Sequence, residues 1–178
     1  MIAYELKYPV GEFESPEQIN KHHLDNWTDT INDFPEKLES EVGGLNGEEL
    51  EWRYRPEGWS ICQLIHHCAD SHMNAFIRFK LALTEENPTI RPYFEDRFAE
   101  LPDSKLVPIK SSLSILAHLH IRWVVLLKNL TNQDLKRTYV HPEHGAQYPL
   151  DDVIGQYAWH CDHHLAHVRQ AKSARGKY

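Results

Sequence analysis

The chain has 178 residues, a length that usually forms one domain with a buried core, so we expect a single domain over residues 1–178. Its 25% charged and 41% hydrophobic residues are typical of an ordinary soluble protein. The formal net charge is −7 and no cluster of Lys and Arg stands out, which disfavours nucleic acid as a partner.

The sequence also argues against a membrane or secreted protein. Its first residues, MIAYELKYPVGEF, lack the basic leader and the apolar stretch of a signal peptide, and no apolar segment is long enough to cross a bilayer. The cysteines Cys62, Cys68 and Cys161 are odd in number and lack paired spacing, as expected of free thiols in a reducing compartment. These features predict a cytoplasmic protein.

The first long helix is predicted to begin at Ser15. Ser15 can cap the helix, Pro16 suits its first position, and Gln18 completes a capping box. Apolar residues then recur at helical spacing. We expect Pro35 to kink this helix or to end it early, and Gly43 with the glycine after it to end it in any case.

A second capping box, from Ser60 to Gln63, opens the second helix. This helix should end near Asn87, because Pro88 disfavours the helical conformation of the residue before it. Residues 85–110 contain four prolines and no sustained hydrophobic period. A loop of this length is typically functional or crosses the length of a helical bundle.

The rest of the chain adds two helices and a short hairpin. The third helix is expected from Ser111 or Ser112 to about Leu130, with a clean amphipathic pattern. Residues 138–150 alternate and turn like a β-hairpin, and the last helix runs to about Ala174. Four long helices, a long crossing loop and almost no strand predict an all-α four-helix bundle.

Histidines are concentrated in the last helix, where WHCDHHLAH holds four of the thirteen in the chain. At about 100° per residue, His160 and His164 fall on the apolar side one turn apart, a spacing that lets two imidazoles bind one metal ion. Burying an unpaired polar group costs roughly 1–3 kcal/mol, so a core without a partner for these rings would not tolerate them. His163 and His167 have the same spacing but lie further from the apolar centre, and remain the less favoured pair.

A third ligand is needed, since catalytic zinc typically has three protein ligands and an open position. The second helix offers His66, His67 and His72, and the periodicity does not choose among them. His72 lies in the middle of the apolar face and could be a core histidine, whereas His67 lies on a stripe of small polar residues. The other histidines have no spacing that argues for coordination: His22, His23, His118, His120, His141 and His144.

Two segments carry a resemblance to a known family: GWSICQLIHHCADSHMNAFIRFKLALTEENPTIRPY and YAWHCDHHLAHV. With the YPVGEF start and the HPEHG turn, they resemble the YfiT branch of the DinB superfamily of four-helix metal-binding proteins. In that family one histidine of the second helix and two, four residues apart, of the last helix hold the metal. The resemblance places these ligands at His67, His160 and His164, and implies zinc or nickel with water in the open position or positions.

The resemblance also implies a function. The family is usually described as metal-dependent hydrolases that form homodimers, while some relatives transfer small thiols such as bacillithiol onto electrophiles. We therefore expect one divalent metal ion per chain and a small-molecule substrate. Hydrolysis is the working interpretation, thiol transfer is the second, and a non-catalytic metal- or ligand-binding bundle is the third.

Hydrolysis by a metal-bound water usually needs a base to accept a proton. The candidates are Asp70 on the second helix, Glu95 in the long loop and His144 in the hairpin. Asp70 could instead orient a ligand imidazole, and Asp162 should point away from the site. Thiol transfer asks less of the protein, because a metal ion alone can stabilise a thiolate.

The homodimer also has a basis in the residues. Met73, Ile77 and Leu81 lie on the second helix away from its broad apolar face. A helix that is apolar nearly all round needs burial on both sides. The alternative is that residues 85–110 cover that surface.

Overall fold

A computed structural model describes residues 2–143 and 145–178 of the chain. In chain order the elements are α1 (Ile2–Lys7), α2 (Lys21–Val42), α3 (Gly47–Leu50), α4 (Ile61–Thr84), α5 (Glu95–Phe98), α6 (Asp103–Leu106), α7 (Lys110–Lys128), α8 (Asn132–Leu135), β1 (Thr138–His141), β2 (Ala146–Pro149) and α9 (Leu150–Ala174). The long helices α2, α4, α7 and α9 confirm the predicted four-helix bundle. The strands pair antiparallel with Thr138 opposite Pro149, which confirms the predicted hairpin.

The helices are arranged so that α2 and α4 each pack against both α7 and α9. Two hydrogen bonds show that the neighbouring helices α4 and α7 run in the same direction. His66 of α4 bonds Ser112 of α7, and further along both helices His72 bonds His120. Parallel neighbours cannot be joined by a tight turn, so the chain has to cross the bundle between them.

The segment 85–110 makes this crossing. Near the start of α4, the Gln63 side chain donates to the carbonyl of Ala99 at 2.9 Å, and the His66 ring lies 3.1 Å from the carbonyl of Val107. The segment thus returns along α4 to its first turns before α7 begins. The predicted crossing loop is confirmed, and it contains the short helices α5 and α6.

The predicted start of the first long helix is wrong. The helix begins at Lys21, with Asn20 as its N-cap: the Asn20 side chain accepts from the His23 amide, and the His23 ring accepts from the Asn20 amide. Asn caps helices as well as Ser does, and Asn20 directly precedes the first amphipathic turn. Ser15 stays in an exposed, irregular segment, and α1 lies in a region for which no helix was predicted.

Pro35 does not end α2, which continues to Val42. Because proline has no N–H, the Ile31 carbonyl one turn earlier lacks its helical donor. The side chain of His120 on α7 takes that place, with Nδ1 2.6 Å from the Ile31 oxygen. A neighbouring helix thus satisfies the carbonyl that the proline leaves free.

The core fills the space between the long helices, and its largest fully buried side chains include Trp123, Phe34 and Phe79. All three cysteines are free, as predicted, and the structure buries them. No helix in the described part of the chain is long and apolar enough to cross a membrane.

Candidate metal centre

A pocket of about 600 Å³ opens where α4 faces α9. The rest of its wall comes from the end of α1 and the residue after it, the segment before α4, the hairpin, and Pro92, Tyr93, Glu95 and Asp96 of the crossing segment. Charged side chains of both signs border it: Lys7, Arg55, Arg78, Glu57, Glu95, Asp96 and Glu143. Its size and polar border suit a small polar molecule.

Among the histidines that border this pocket, three come from facing helices and lie close together: His67 on the second turn of α4, and His160 and His164 on consecutive turns of α9. One ring nitrogen from each lies within 4.8 Å of those of the other two. His67 Nε2 is 3.4 Å from His160 Nε2, and the ring centroids of His160 and His164 are 4.4 Å apart. The fold thus brings together the three residues that were predicted as ligands, and we call them the three-histidine site.

Burial keeps these imidazoles neutral. It lowers the pKa of His67 to about 4, and holds the pKa of both His160 and His164 well below the usual range, with neighbouring histidines adding to the effect. A neutral imidazole carries one proton and one lone pair, and the lone pair is what a metal ion binds. The site therefore offers three uncharged nitrogen donors.

A chain of hydrogen bonds decides which nitrogen of His160 carries the lone pair. The Ile31 carbonyl can only accept, so His120 Nδ1 donates to it, and a neutral His120 then accepts through Nε2. That nitrogen takes the Nδ1–H of His72 at 2.8 Å, and His72 Nε2 accepts from His160 Nδ1 at 3.1 Å. His160 is left with its lone pair on Nε2. We call these three histidines and the Ile31 carbonyl the core chain.

His164 is held by a similar but shorter series. The Lys7 carbonyl accepts from His167 Nε2 at 3.0 Å, so a neutral His167 accepts through Nδ1. His164 Nδ1, 3.5 Å away, is the donor to that nitrogen, and the lone pair of His164 is on Nε2. We call His164, His167 and the Lys7 carbonyl the outer chain.

This donor set fits a divalent cation. Imidazole nitrogens are suitable ligands for zinc, nickel, copper and iron, and a ligand histidine ordinarily donates its other N–H to a carbonyl or another acceptor. Both ligands on α9 meet this second condition through the core chain and the outer chain. The chemistry of the donors does not select one of these metals.

The alternative pair, His163 and His167, forms a second group of close nitrogens with His164. All three members of this group are on α9, so no second helix contributes a ligand. His167 already donates to the Lys7 carbonyl, and the ring of His163 stacks on Trp159 with centroids 4.5 Å apart. The three-histidine site, which joins two helices at the pocket, is the better donor set.

The structure also separates the histidines of α4. His66 bonds Ser112 and the Val107 carbonyl, away from the pocket. His72, which the sequence left open as a ligand or a core histidine, belongs to the core chain, and so does His120, for which no role was predicted. The available signal was that each lies on the apolar side of its helix, where a buried imidazole needs a hydrogen-bond partner.

The candidate bases fall in different places. Asp70 does not border the pocket. It lies on the side of α4 that faces α6, where burial and the negative charge of Asp103 raise the pKa of its carboxyl. This position argues against Asp70 as a base or as the partner of a ligand imidazole. Glu95 borders the pocket and is exposed. His144 lies outside the described residues.

Comparison with known proteins gives a consistent result. The profile of the DinB superfamily matches residues 30–168. The chain is 43% identical over 176 residues to a Bacillus subtilis protein named "Putative metal-dependent hydrolase YfiT", covering 99% of each. It is 49% identical over 164 residues to a "Putative metal-dependent hydrolase" of Bacillus cereus (strain 03BB102), covering 92% of this chain and 94% of the relative.

A solved structure is similar over nearly the whole chain. It is described as "YfiT from Bacillus subtilis is a probable metal-dependent hydrolase with an unusual four-helix bundle topology". The two chains superpose with a TM-score of 0.93 at 43% identity, over 97% of this chain and 98% of the other. The bundle described above is therefore the same fold.

Proposed function

The chain belongs to the DinB superfamily, and on this premise we propose that it is a metal-dependent hydrolase of small molecules with one divalent ion at the three-histidine site. The observation that carries the proposal is the meeting of three neutral imidazole nitrogens within 4.8 Å at the wall of a polar pocket. Zinc or nickel is the proposed ion, as the resemblance to the family implies, and imidazole nitrogens are suitable ligands for both.

In the proposed reaction the three histidines bind the ion and Glu95 acts as the base. His67, His160 and His164 would hold the ion and add no negative charge, which preserves its full attraction for an electron-rich substrate atom. When bound, such an ion supplies Lewis acidity and lowers the pKa of a coordinated water toward neutrality. Glu95, a carboxylate at the pocket wall, is the proposed acceptor of the water's proton.

Thiol transfer is the second candidate, and one observation favours it. No carboxylate among the described residues joins the group of nitrogens at the three-histidine site. Hydrolysis would need Glu95 or another wall residue to act as a base, whereas a bound divalent ion would stabilise a thiolate by its charge, with the thiol proton released to water. The thiolate sulfur would form a bond to the electrophilic carbon of a substrate in the same pocket, while the bond from that carbon to the leaving group breaks and the leaving group departs as an anion.

One experiment separates the candidates. Zinc-loaded and nickel-loaded protein would be incubated with a panel of esters and amides, and in parallel with a chlorobimane and small thiols. His160→Gln is the inactive control, and His22→Gln, which changes an exposed histidine that does not line the pocket, is the matched active control.

Hydrolysis of a panel member that is lost in His160→Gln would support the proposal. Thiol-dependent conjugation lost in the same variant, with no hydrolysis, would reverse the order of the two reactions. If neither activity occurs although the ion is bound, a non-catalytic metal- or ligand-binding bundle becomes the favoured function.

We also propose that two copies associate through the outer face of α4. Met73 is 38% and Ile77 54% exposed, so the crossing segment does not cover this face. On the neighbouring α7, Ile121 and Val125 are 65% and 61% exposed. Sedimentation at micromolar concentration should give twice the 20.9 kDa chain mass, and Ile77→Glu should lower it; a monomer in the unchanged protein would contradict the proposal.

A further inference from the structure

His72 and His120 are nearly inaccessible to solvent, with 0% and 2% exposure, yet neither joins the group of nitrogens that could hold a metal. Burying one polar group without a partner costs roughly 1–3 kcal/mol, so two imidazoles in a core call for an explanation. Apolar side chains of similar volume would fill the same space without needing partners. The core chain indicates what these two histidines do.

We propose that His72 and His120 are positioning residues that hold His160 in its Nδ1–H tautomer, with the Nε2 lone pair directed toward the metal. The inference rests on the proposed three-histidine site, and is independent of whether hydrolysis or thiol transfer follows. Neither residue touches the ion or the substrate in this scheme. They act through His160 alone.

Which residue donates and which accepts in each hydrogen bond of the core chain depends on the Ile31 carbonyl at its end. In an ordinary helix the Ile31 carbonyl would accept from the backbone N–H four residues later and would need no other partner. That residue is Pro35, which has no N–H. A carbonyl oxygen cannot donate, so it orients His120, which orients His72, which orients His160. Because of Pro35, the Ile31 carbonyl is free to accept from His120, and this bond determines the proton positions along the core chain.

Packing prevents the middle ring from turning over. His72 lies against Phe34, Trp123 and Tyr157, with ring centroids 5.3, 5.8 and 5.8 Å away. Turning the ring would leave both His120 Nε2 and His160 Nδ1 without their present partners, in a core that excludes water. The chain is therefore well placed to hold a single tautomer.

The first test uses metal-free protein. Two-bond 1H–15N NMR spectra of the imidazole rings distinguish the Nδ1–H from the Nε2–H tautomer. We expect His160, His72 and His120 all to be Nδ1–H tautomers in the unchanged protein. Nε2–H at His160 or at His72 would overturn the inference whether or not the protein binds metal or has any activity.

The second test measures zinc affinity by competition with a chelator in three variants. His72→Leu removes the acceptor and should weaken zinc binding by about 10- to 100-fold, the usual effect of losing the partner of a ligand histidine. His72→Gln offers an amide carbonyl to accept from His160 and an amide N–H to donate to His120, and should restore most of the affinity. His66→Gln, a change at another buried histidine of α4 outside the chain, is the matched control.

The outcomes are distinguishable. Loss in His72→Leu with rescue in His72→Gln supports a positioning role, because a purely structural effect would not depend on the amide. Equal affinities in His72→Leu and His66→Gln would contradict it. If the unchanged protein binds no metal, the proposed metal site fails, and the NMR spectra still decide the tautomer of His160.

Discussion

The two ligands on α9 are one turn apart and yet are supported in different ways. The core chain runs through the middle of the bundle with links of 3.1, 2.8 and 2.6 Å, and ends inside the 22-residue α2. The outer chain has links of 3.5 and 3.0 Å and ends at Lys7, the last residue of the six-residue α1. The same helix thus carries one ligand fixed by the core and one held from the periphery.

This difference indicates how firmly each ligand is placed. A helix as short as α1 is marginal on its own, so the Lys7 carbonyl stays in position only while α1 remains docked. That docking depends on contacts such as the bond from Gln170 to the Leu6 carbonyl at 3.0 Å. His160 is therefore the rigid ligand, and His164 is the one that can adjust.

Both the core chain and the outer chain depend on neutral imidazoles. Lowering the pH, which protonates imidazoles, should therefore have the largest effect, on the free energy of unfolding. Burial lowers the pKa of His120 to about 4, against an ordinary value of 6.5, so between these values the unfolded chain binds a proton that the folded chain does not. The free energy of unfolding is therefore highest above pH 6.5 and falls as the pH drops toward 4, by about 1.4 kcal/mol per pH unit for each such histidine.

His120→Leu should flatten the pH dependence of unfolding by one proton over this range, measured by urea titration of metal-free protein. The change would amount to about 3 kcal/mol between the two ends of the range. His118→Gln alters an exposed histidine of the same helix and should leave the slope unchanged. An unaltered slope in His120→Leu would mean that His120 is protonated in the folded protein, and the direction of the core chain would no longer follow.

Removing His167, the acceptor of the outer chain, should lower zinc affinity less than removing His72, the acceptor of the core chain. His167→Phe keeps an aromatic ring against Tyr54, on which His167 stacks with centroids 3.8 Å apart, but cannot accept from His164. Zinc affinity should fall by about tenfold or less, the low end for the partner of a ligand histidine. A greater loss than in His72→Leu, measured by the same chelator competition, would reverse the assignment of rigid and adjustable ligands.

The smallest effect is expected at Pro35. Pro35→Ala restores an N–H that competes with His120 for the Ile31 carbonyl, but that oxygen has two lone pairs and can accept both. Zinc affinity should therefore fall only about twofold to threefold, while the helix gains a hydrogen bond and stability toward urea rises. Lower stability in this variant would show that α2 depends on the proline for another reason.

The sequence supplied part of this site and not the rest, for physical reasons. Four-residue spacing on one helix is visible in any sequence, which is why His160 and His164 could be paired from periodicity alone. The choice of His67 over its neighbours on α4 needed the family resemblance, because spacing on one helix does not say which residue faces another helix. Asn20 was missed as a cap because an equally plausible capping box begins at Ser15.

The core chain was out of reach for a stronger reason. It links residues of α2, α4, α7 and α9, and exists only because the crossing segment makes α4 and α7 parallel neighbours. Hydrophobic periodicity predicts which side of each helix is buried, and does not predict which helices meet at which height. Pro35 was expected to kink or to end α2 and does not end it, and its consequence lies on another helix, at His120.

Metal stoichiometry shows whether the three-histidine site binds an ion. Zinc or nickel would be titrated into metal-free protein, and bound metal measured by elemental analysis, for the unchanged chain, His164→Gln and His163→Gln. The three-histidine site predicts one ion per chain, sharply reduced content in His164→Gln and unchanged content in His163→Gln. Full stoichiometry in His164→Gln together with loss in His163→Gln would place the metal at the His163 and His167 pair and contradict the three-histidine site.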